Sequence, residues 1–202
     1  MKTLLQNLKI SILMTAVLAV LVCGVYPLVV WAGAQALFPA KANGSLVVDK
    51  GGTVRGSMLL AQNFSSDKYF QPRPSAAGTG YDATSSGGTN YGPTSQKLND
   101  SIKAAVAAYR TSNGIAASTS VPADAVTSSG SGLDPHISPE NAAAQASRVA
   151  KARGLSMEKV QALIAASTEG RSLGIFGEAG VNVLGLNIAL DDAAGAVSPG
   201  AK

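Results

Sequence analysis

Residues that carry enzyme chemistry are scarce in this chain of 202 residues. It has one cysteine, Cys23, and one histidine, His136. The dipeptide Gly-Lys is absent, so the chain lacks the phosphate-binding motif G-x-x-x-x-G-K-[ST]; it also lacks the dinucleotide-binding motif G-x-G-x-x-G. The length is that of one ordinary domain, which excludes a multidomain pump or a complete catalytic ATPase.

Charge is also sparse, and the two signs nearly balance. Charged residues make up 14% of the chain and aromatic residues 5%. Two of the 16 basic residues, Lys2 and Lys9, precede the first apolar run, and the part from Lys41 onward has 14 basic and 12 acidic residues. Since there is no basic stripe and aromatic rings are few, we predict that the protein binds no nucleic acid.

The longest apolar run lies near the N-terminus, where no charged residue occurs between Lys9 and Lys41. A helix of about 20 residues crosses a bilayer, so we predict a transmembrane helix at residues 10–38. Pro27 removes a backbone donor and is expected to kink it. Two alternatives stay open: a cleaved signal peptide, whose apolar part is usually only about 7–15 residues long, and a lipid anchor at Cys23.

The basic residues before this run predict its orientation. Lys and Arg concentrate in cytoplasmic segments, so residues 1–9 are expected to form a short cytoplasmic N-terminus. Residues 41–192 then form an extracytoplasmic domain, and residues 193–202 a flexible tail. The domain has no cysteine, and therefore no disulfide to form outside the cell.

The pattern of the domain predicts strands first and helices later. Short strands are expected at 45–48 and 54–60, and a Gly/Ser/Thr-rich loop at 75–95. Helices are expected at 98–113, stopping at Gly114; at 139–153, capped by Ser138 and stopping at Gly154; and from Ser156 to Gly170. Periodicity does not separate helix from strand at 181–190. This order predicts an α+β fold, with a mixed α/β domain after the transmembrane helix, rather than a doubly wound one.

Few residues outside the apolar run offer chemistry. Asp134, Pro135 and His136 are interpreted as a turn that leads into the Ser138 cap. A nucleophile–histidine hydrolase would have to use His136, and a metal site at Asp134 and His136 would have few ligands.

Two further patterns have both a structural and a functional interpretation. Gln145 and Arg148 lie on one side of their helix, which indicates either a solvated face or a polar contact with a partner or ligand. The glycines at 87 and 88 belong either to an ordinary turn-rich loop or to a loop whose backbone N–H groups approach phosphates.

Several short segments occur in an order that is typical of one family. They are NGSL at 43–46, QNF at 62–64, RPSA at 73–76, SGGTN at 86–90, SGSGLDPHISP at 129–139, RVAKAR at 148–153 and LNIALD at 186–191. No single segment is decisive, but together they are spread along the chain from residue 43 to residue 191. In these segments the chain resembles the C subunit of the Kdp potassium-transporting P-type ATPase.

The resemblance implies a non-catalytic subunit of a complex in the bacterial inner membrane that imports potassium with ATP. The partners it implies are a channel-like A subunit, an ATP-hydrolysing B subunit and a small F subunit, with membrane lipid around the span. It further implies a role in assembly and as a catalytic chaperone that raises the ATP affinity of the B subunit. ATP is then a cofactor only through the complex, and potassium is the ion that the complex carries.

The resemblance also implies site residues. Gly87, Gly88 and Gln145 are the positions suggested for nucleotide contact, and Arg73, Asn90, Asp134 and Arg148 are expected to contact partner subunits. The predicted topology conflicts with direct ATP contact, because an extracytoplasmic domain does not meet ATP held in the cytoplasm. We therefore expect the domain to cap the outer mouth of the A subunit and to affect ATP use allosterically. The alternatives are a membrane-anchored solute-binding module and a hydrolase built on His136.

Overall fold

The computed structural model describes residues 2–49 and 51–193. The chain divides into two compact units, Met1–Leu46 and Val47–Lys202. The first contains the apolar helix, and the second is a mixed body of helices and short strands. Of the predicted tail at 193–202, residues 194–202 lie outside the described residues.

One long helix makes up most of the first unit. It consists of α1 (Lys2–Ala19), a π-helical stretch (Val20–Val25) and α2 (Tyr26–Leu37), and a short α3 (Pro39–Ala42) follows. The 36 residues of Lys2–Leu37 are long and apolar enough to cross a membrane, and the most apolar part is not buried in the protein. The helix therefore begins well before the predicted start at residue 10.

Pro27 is accommodated by a change in hydrogen bonding, and the chain stays helical through it. The N–H of Tyr26 donates to the carbonyl oxygen of Leu21, five residues earlier, which is the π-helical pattern. Pro27 then lies in the first turn of α2, where a missing backbone donor costs least. The expected disturbance at Pro27 takes the form of this π-helical stretch.

The body combines short antiparallel strands with longer helices. Strands β1 (Leu46–Val48) and β2 (Val54–Ser57) form a two-stranded sheet, while β3 (His136–Ile137), β4 (Thr168–Glu169) and β5 (Gly180–Asn182) form a second sheet in the order β3-β5-β4. In the second sheet β5 is antiparallel to both neighbours. The helices are α4 (Gln96–Asn113), α5 (Pro139–Arg153), α6 (Met157–Ala166) and α7 (Val183–Ala193). The mixed helix and sheet composition agrees with the predicted α+β body.

The main apolar core lies between α5, α6, α7 and β5. Small residues on α5 let the neighbouring elements approach closely, and larger aliphatic side chains from the other elements fill the space. The fully buried members contribute most of the hydrophobic stabilisation. The core comprises Phe70, Ile137, Ala142, Ala146, Val149, Ala150, Val160, Ile164, Val181, Val183, Leu186 and Leu190.

The predicted helix boundaries are mostly confirmed. The Ser138 and Ser156 hydroxyls cap α5 and α6 by accepting from backbone N–H groups three residues on, and Gly154 ends α5 with a φ of 65°. The prediction that α6 extends to Gly170 is wrong. It ends at Ala166 because Thr168–Glu169 pairs with β5. The undecided segment 181–190 contains the end of β5 and most of α7.

Candidate functional site

A loop segment at residues 67–71, which begins in a turn at Asp67 and Lys68, is held by side chains instead of by a neighbouring strand. The Asn187 amide accepts from the Phe70 N–H at 2.8 Å and donates to the Phe70 carbonyl at 2.9 Å. The Gln145 amide does the same with Gln71, at 2.8 and 3.0 Å. Each side chain thus supplies the donor and acceptor that a buried backbone requires.

Arg148 holds the same segment from α5. Its Nη1 donates to the carbonyl oxygens of Asp67 at 2.7 Å and Tyr69 at 3.0 Å. Its Nη2 donates to Gln145 Oε1 at 2.8 Å, and its Nε donates to Asn113 Oδ1 at 2.9 Å. The residue is 9% exposed, and burial lowers the pKa of Arg148, an effect that the Asp67 carboxylate partly offsets.

A third contact closes the arrangement between α5 and α7. Arg153 Nη2 lies 2.7 Å from Asp191 Oδ1 in an ion pair, and its guanidinium lies over the Tyr69 ring at 4.7 Å from the centroid. The Tyr69 hydroxyl donates to Asp191 Oδ2 at 3.2 Å. We call this group the clamp; its members outside the held segment are Gln145, Arg148, Arg153, Asn187 and Asp191.

The interpretation of Gln145 and Arg148 as a solvated face is wrong. Gln145 is 1% exposed, and its amide makes four hydrogen bonds, accepting from Gln71 and Arg148 and donating to Gln71 and Asn141. These bonds use the full capacity of a side-chain amide. Their principal partner, Gln71, lies 74 residues away in the chain, so helix spacing alone gave no signal for it.

A cavity of about 320 Å³ lies beside the clamp, and Gln71, Tyr81, Tyr109, Asn141 and Gln145 contribute to its lining. The Tyr109 hydroxyl donates to Asn141 Oδ1 at 2.7 Å. Burial raises the pKa of both tyrosine hydroxyls. Gly87 and Gly88 are not among the described residues that line this cavity, so it does not bring the suggested nucleotide-contact residues together.

The glycine loop packs against a second loop through its backbone. The Gly87 N–H and the Ser86 hydroxyl both donate to the Ser131 carbonyl oxygen at 2.9 Å. A Cβ on Gly88 would lie 3.1 Å from the Gly130 carbonyl oxygen. The Gly87 N–H is therefore already engaged within the body. Asn90, at the end of this loop, is exposed and has a φ of 52°.

A second cavity, of about 400 Å³, contains most of the titratable groups singled out in the sequence. Arg73 Nη1 donates to Asp134 Oδ2 at 3.1 Å. The His136 ring lies between two carboxylates, with Nδ1 3.6 Å from Asp134 Oδ1 and Nε2 3.7 Å from Glu169 Oε2. We call this cavity the acidic pocket; its charged lining residues are Arg73, Asp124, Asp134, His136, Glu169 and Glu178.

The contact between His136 and Asp134 in the acidic pocket shifts the pKa of both side chains. The neighbouring Asp134 carboxylate raises the pKa of His136 above its usual value, with Glu169 adding to the effect and partial burial opposing it. The neighbouring His136 side chain lowers the pKa of Asp134, and Arg73 adds to this effect. In residues 2–49 and 51–193, no group of three or more His, Cys, Asp or Glu side chains is arranged to hold a metal ion.

The His136 pair predicts a pH-dependent contribution to stability. Because the folded pKa of His136 is raised, its stabilisation is complete below the unfolded value of about 6.5 and is lost as the pH rises through the folded pKa. We expect His136→Gln to cost less than about 1 kcal/mol, since the His136 and Asp134 side chains are 37% and 33% exposed, and to cost more at pH 6 than at pH 8.5. Urea unfolding of both proteins at the two pH values measures this, and an equal cost at both would contradict it.

Comparison with known proteins identifies the family of the chain. A family model described as "KdpC: K+-transporting ATPase, c chain" matches residues 8–192. The chain belongs to the KdpC family. A potassium-transporting ATPase KdpC subunit of Rhodospirillum rubrum is 51% identical over 189 residues, covering 94% of this chain and 97% of that protein. Proteins of the same name from Nitratidesulfovibrio vulgaris and Mycobacterium tuberculosis are each 50% identical, over 98% and 92% of this chain and 100% and 98% of their own lengths.

Membership of the KdpC family confirms the resemblance that the short segments indicated. The structure shows where those segments meet. The segments at 148–153 and 186–191 supply most of the clamp, and the segments at 73–76 and 129–139 supply Arg73, Asp134 and His136 of the acidic pocket. Of the residues expected to contact partners, Arg148 is buried in the clamp and Arg73 pairs with Asp134 inside the body, whereas Asn90 lies at the surface.

Proposed function

We propose that this chain is a non-catalytic subunit of an ATP-driven potassium-import complex in a bacterial inner membrane. The observation that carries the proposal is the match to the KdpC family over residues 8–192. The strongly apolar helix Lys2–Leu37 supports a single membrane anchor, and Lys2 and Lys9 before the charge-free run favour a cytoplasmic N-terminus. The body, from about residue 41 to residue 192, then lies outside the membrane.

In this proposal the body contacts the channel-like A subunit from outside and stabilises its assembly with the B and F subunits. The effect on ATP use, including a raised ATP affinity of the B subunit, is indirect. Gln145 and the Gly87 N–H are already engaged in internal hydrogen bonds, which favours an allosteric effect over direct nucleotide contact by Gly87, Gly88 and Gln145. Allostery requires that the body bind the conformations of the pump unequally.

Truncation tests this function. In a strain that lacks its own copy of the chain, residues 1–41 alone are expected to restore no high-affinity potassium uptake, while the full chain restores it. The physical reason is that the anchor is retained but every contact made by the body is removed. Uptake at micromolar external potassium measures the outcome, and detection of the truncated chain in membranes is the control. Full uptake with the truncated chain would contradict the proposal.

A further inference from the structure

The hairpin that follows β4 exposes a compact apolar tip. Ser172 and Phe176 form an antiparallel bridge, and Leu173, Ile175 and Phe176 are 89%, 69% and 62% exposed. The exposed fraction of Leu173 is the highest of any large apolar side chain among the described residues. We call Leu173, Ile175 and Phe176 the hairpin tip. Apolar side chains that cluster at an exposed tip are typical of a binding surface.

The backbone at the tip is also unfavourable for the residue it carries. Leu173 has a φ of 55° and Gly174 a φ of 77°, and the Ile175 N–H bonds back to Ser172 at 3.3 Å. A positive φ favours Gly, and after it Asn or Asp, over a leucine. A leucine there costs conformational free energy and gains no contact in the body, and strain of this kind concentrates at binding sites.

The hairpin tip borders the acidic pocket, because Phe176 belongs to the tip and also lines the pocket. The pocket has four carboxylates, on Asp124, Asp134, Glu169 and Glu178, against the Arg73 guanidinium and the His136 ring, which is charged only when protonated. Arg73 and His136 both lie against Asp134. The Asp124 oxygens accept hydrogen bonds from Ser138 and Asn141, and among the described residues Glu178 has no ion-pair partner. The net negative charge repels anionic lipid headgroups and attracts a basic side chain.

We propose that the hairpin tip and the acidic pocket together bind a segment of a partner protein that presents a lysine or arginine flanked by apolar side chains. The cationic group enters the pocket near Glu178 and Asp124, and the apolar neighbours pack on Leu173, Ile175 and Phe176. This rests on the proposed function, since the partner is another subunit of the same complex. Apolar contact with the hairpin tip supplies the affinity, and the cationic group in the pocket fixes the position of the bound segment.

Photocrosslinking of the full chain in its native membrane identifies what covers the tip. p-Benzoylphenylalanine replaces Leu173, and the matched control carries it at the exposed Ala116. The expected result is a crosslink from position 173, and not from position 116, to a peptide of a partner subunit that contains Lys or Arg beside apolar residues. A crosslink only to lipid, only to a second copy of this chain, or no crosslink above the control would overturn the proposal.

Charge reversal tests the pocket separately. Glu178→Lys is expected to reduce recovery of the partner subunits with the tagged full chain at least about fivefold at physiological salt. Asp192→Lys, an exposed carboxylate on α7 outside the pocket lining, makes the same charge change and is expected to leave recovery unchanged. If the wild-type chain recovers no partner, the proposed function fails. If the wild-type chain and Glu178→Lys recover partners equally, this inference alone fails.

Discussion

Arg148→Ala is expected to lower the free energy of unfolding by about 3–5 kcal/mol. The substitution removes four hydrogen bonds, to the Asp67 and Tyr69 carbonyls and to the Gln145 and Asn113 side-chain oxygens. The Gln145 oxygen keeps the bond from the Gln71 N–H, whereas the other acceptors lose the bond from Arg148. Each buried, unsatisfied group costs about 1–3 kcal/mol. Chemical denaturation of the detergent-solubilised full chain, followed by far-ultraviolet circular dichroism, measures the change.

Two further variants separate the clamp from a general effect of lost charge. Lys151→Ala removes an exposed positive charge from the same helix, and we expect it to change stability by less than about 0.5 kcal/mol. Arg148→Lys keeps the charge but loses the planar fork that reaches several acceptors at once, so it is expected to remain well below wild-type stability. A cost for Arg148→Ala no larger than that for Lys151→Ala would show that the clamp contributes little.

Gly132→Ala is expected to cost about 3 kcal/mol or more. An added Cβ would lie 2.7 Å from both the Ala77 backbone nitrogen and the Gly87 carbonyl oxygen, and 2.9 Å from the Ala77 Cβ. Two of these are backbone atoms, so relief requires that whole loops move. The φ of 69° at Gly132 is itself unfavourable for alanine. Thermal unfolding of the full chain measures the loss.

Gly130→Ala is the matched control for this prediction, because it lies two residues earlier in the same loop. A Cβ there meets nothing within 4 Å, and Gly130 does not have a positive φ. We expect a change within about 1 kcal/mol. Similar melting temperatures for the Gly130 and Gly132 variants would mean that the packing of the three loops around Gly132 is looser than the structure has it.

Because Gln145 belongs to the clamp, its substitution affects the stability of the body as well as any contact with nucleotide. Gln145→Ala would leave the Gln71 backbone and one Arg148 donor without their partner, so lower ATP affinity of the complex could follow from a loosened body. Stability therefore has to be measured beside affinity. Lower affinity at unchanged stability would favour direct contact, whereas a parallel loss in Gln145→Ala and Asn187→Ala would favour the indirect route.

Features coded by neighbouring residues were predictable from the sequence. The Ser138-Pro139 start and the Gly154 stop of α5 depend on caps within the helix itself, and the apolar helix depends on the length of a charge-free run. Periodicity did not distinguish helix from strand at 181–190 because β5 passes into α7 without an intervening loop. One apolar stretch therefore contains both the two-residue period of a strand and the 3.6-residue period of a helix, and neither dominates.

The clamp and the acidic pocket depend on partners far apart in the chain. The sequence favours a surface position for Gln145 and Arg148, because polar side chains on a helix usually face water. Their burial becomes favourable only when residues 67–71 bring unpaired backbone groups to them, 74 to 81 residues away. Glu169 reaches His136 through the pairing of β4 and β3 with the same strand, β5. The family resemblance selected Gln145 and Arg148 without indicating that they are buried.

Copurification tests the central claim most directly. The full chain, tagged at its C-terminus and extracted in a mild detergent, is expected to bring down a channel-like subunit and a P-type ATPase subunit in near-equal amounts. The purified complex should hydrolyse ATP in a potassium-stimulated, vanadate-sensitive manner. A chain that is recovered intact from the membrane but without these subunits, in cells that produce them, would contradict the account.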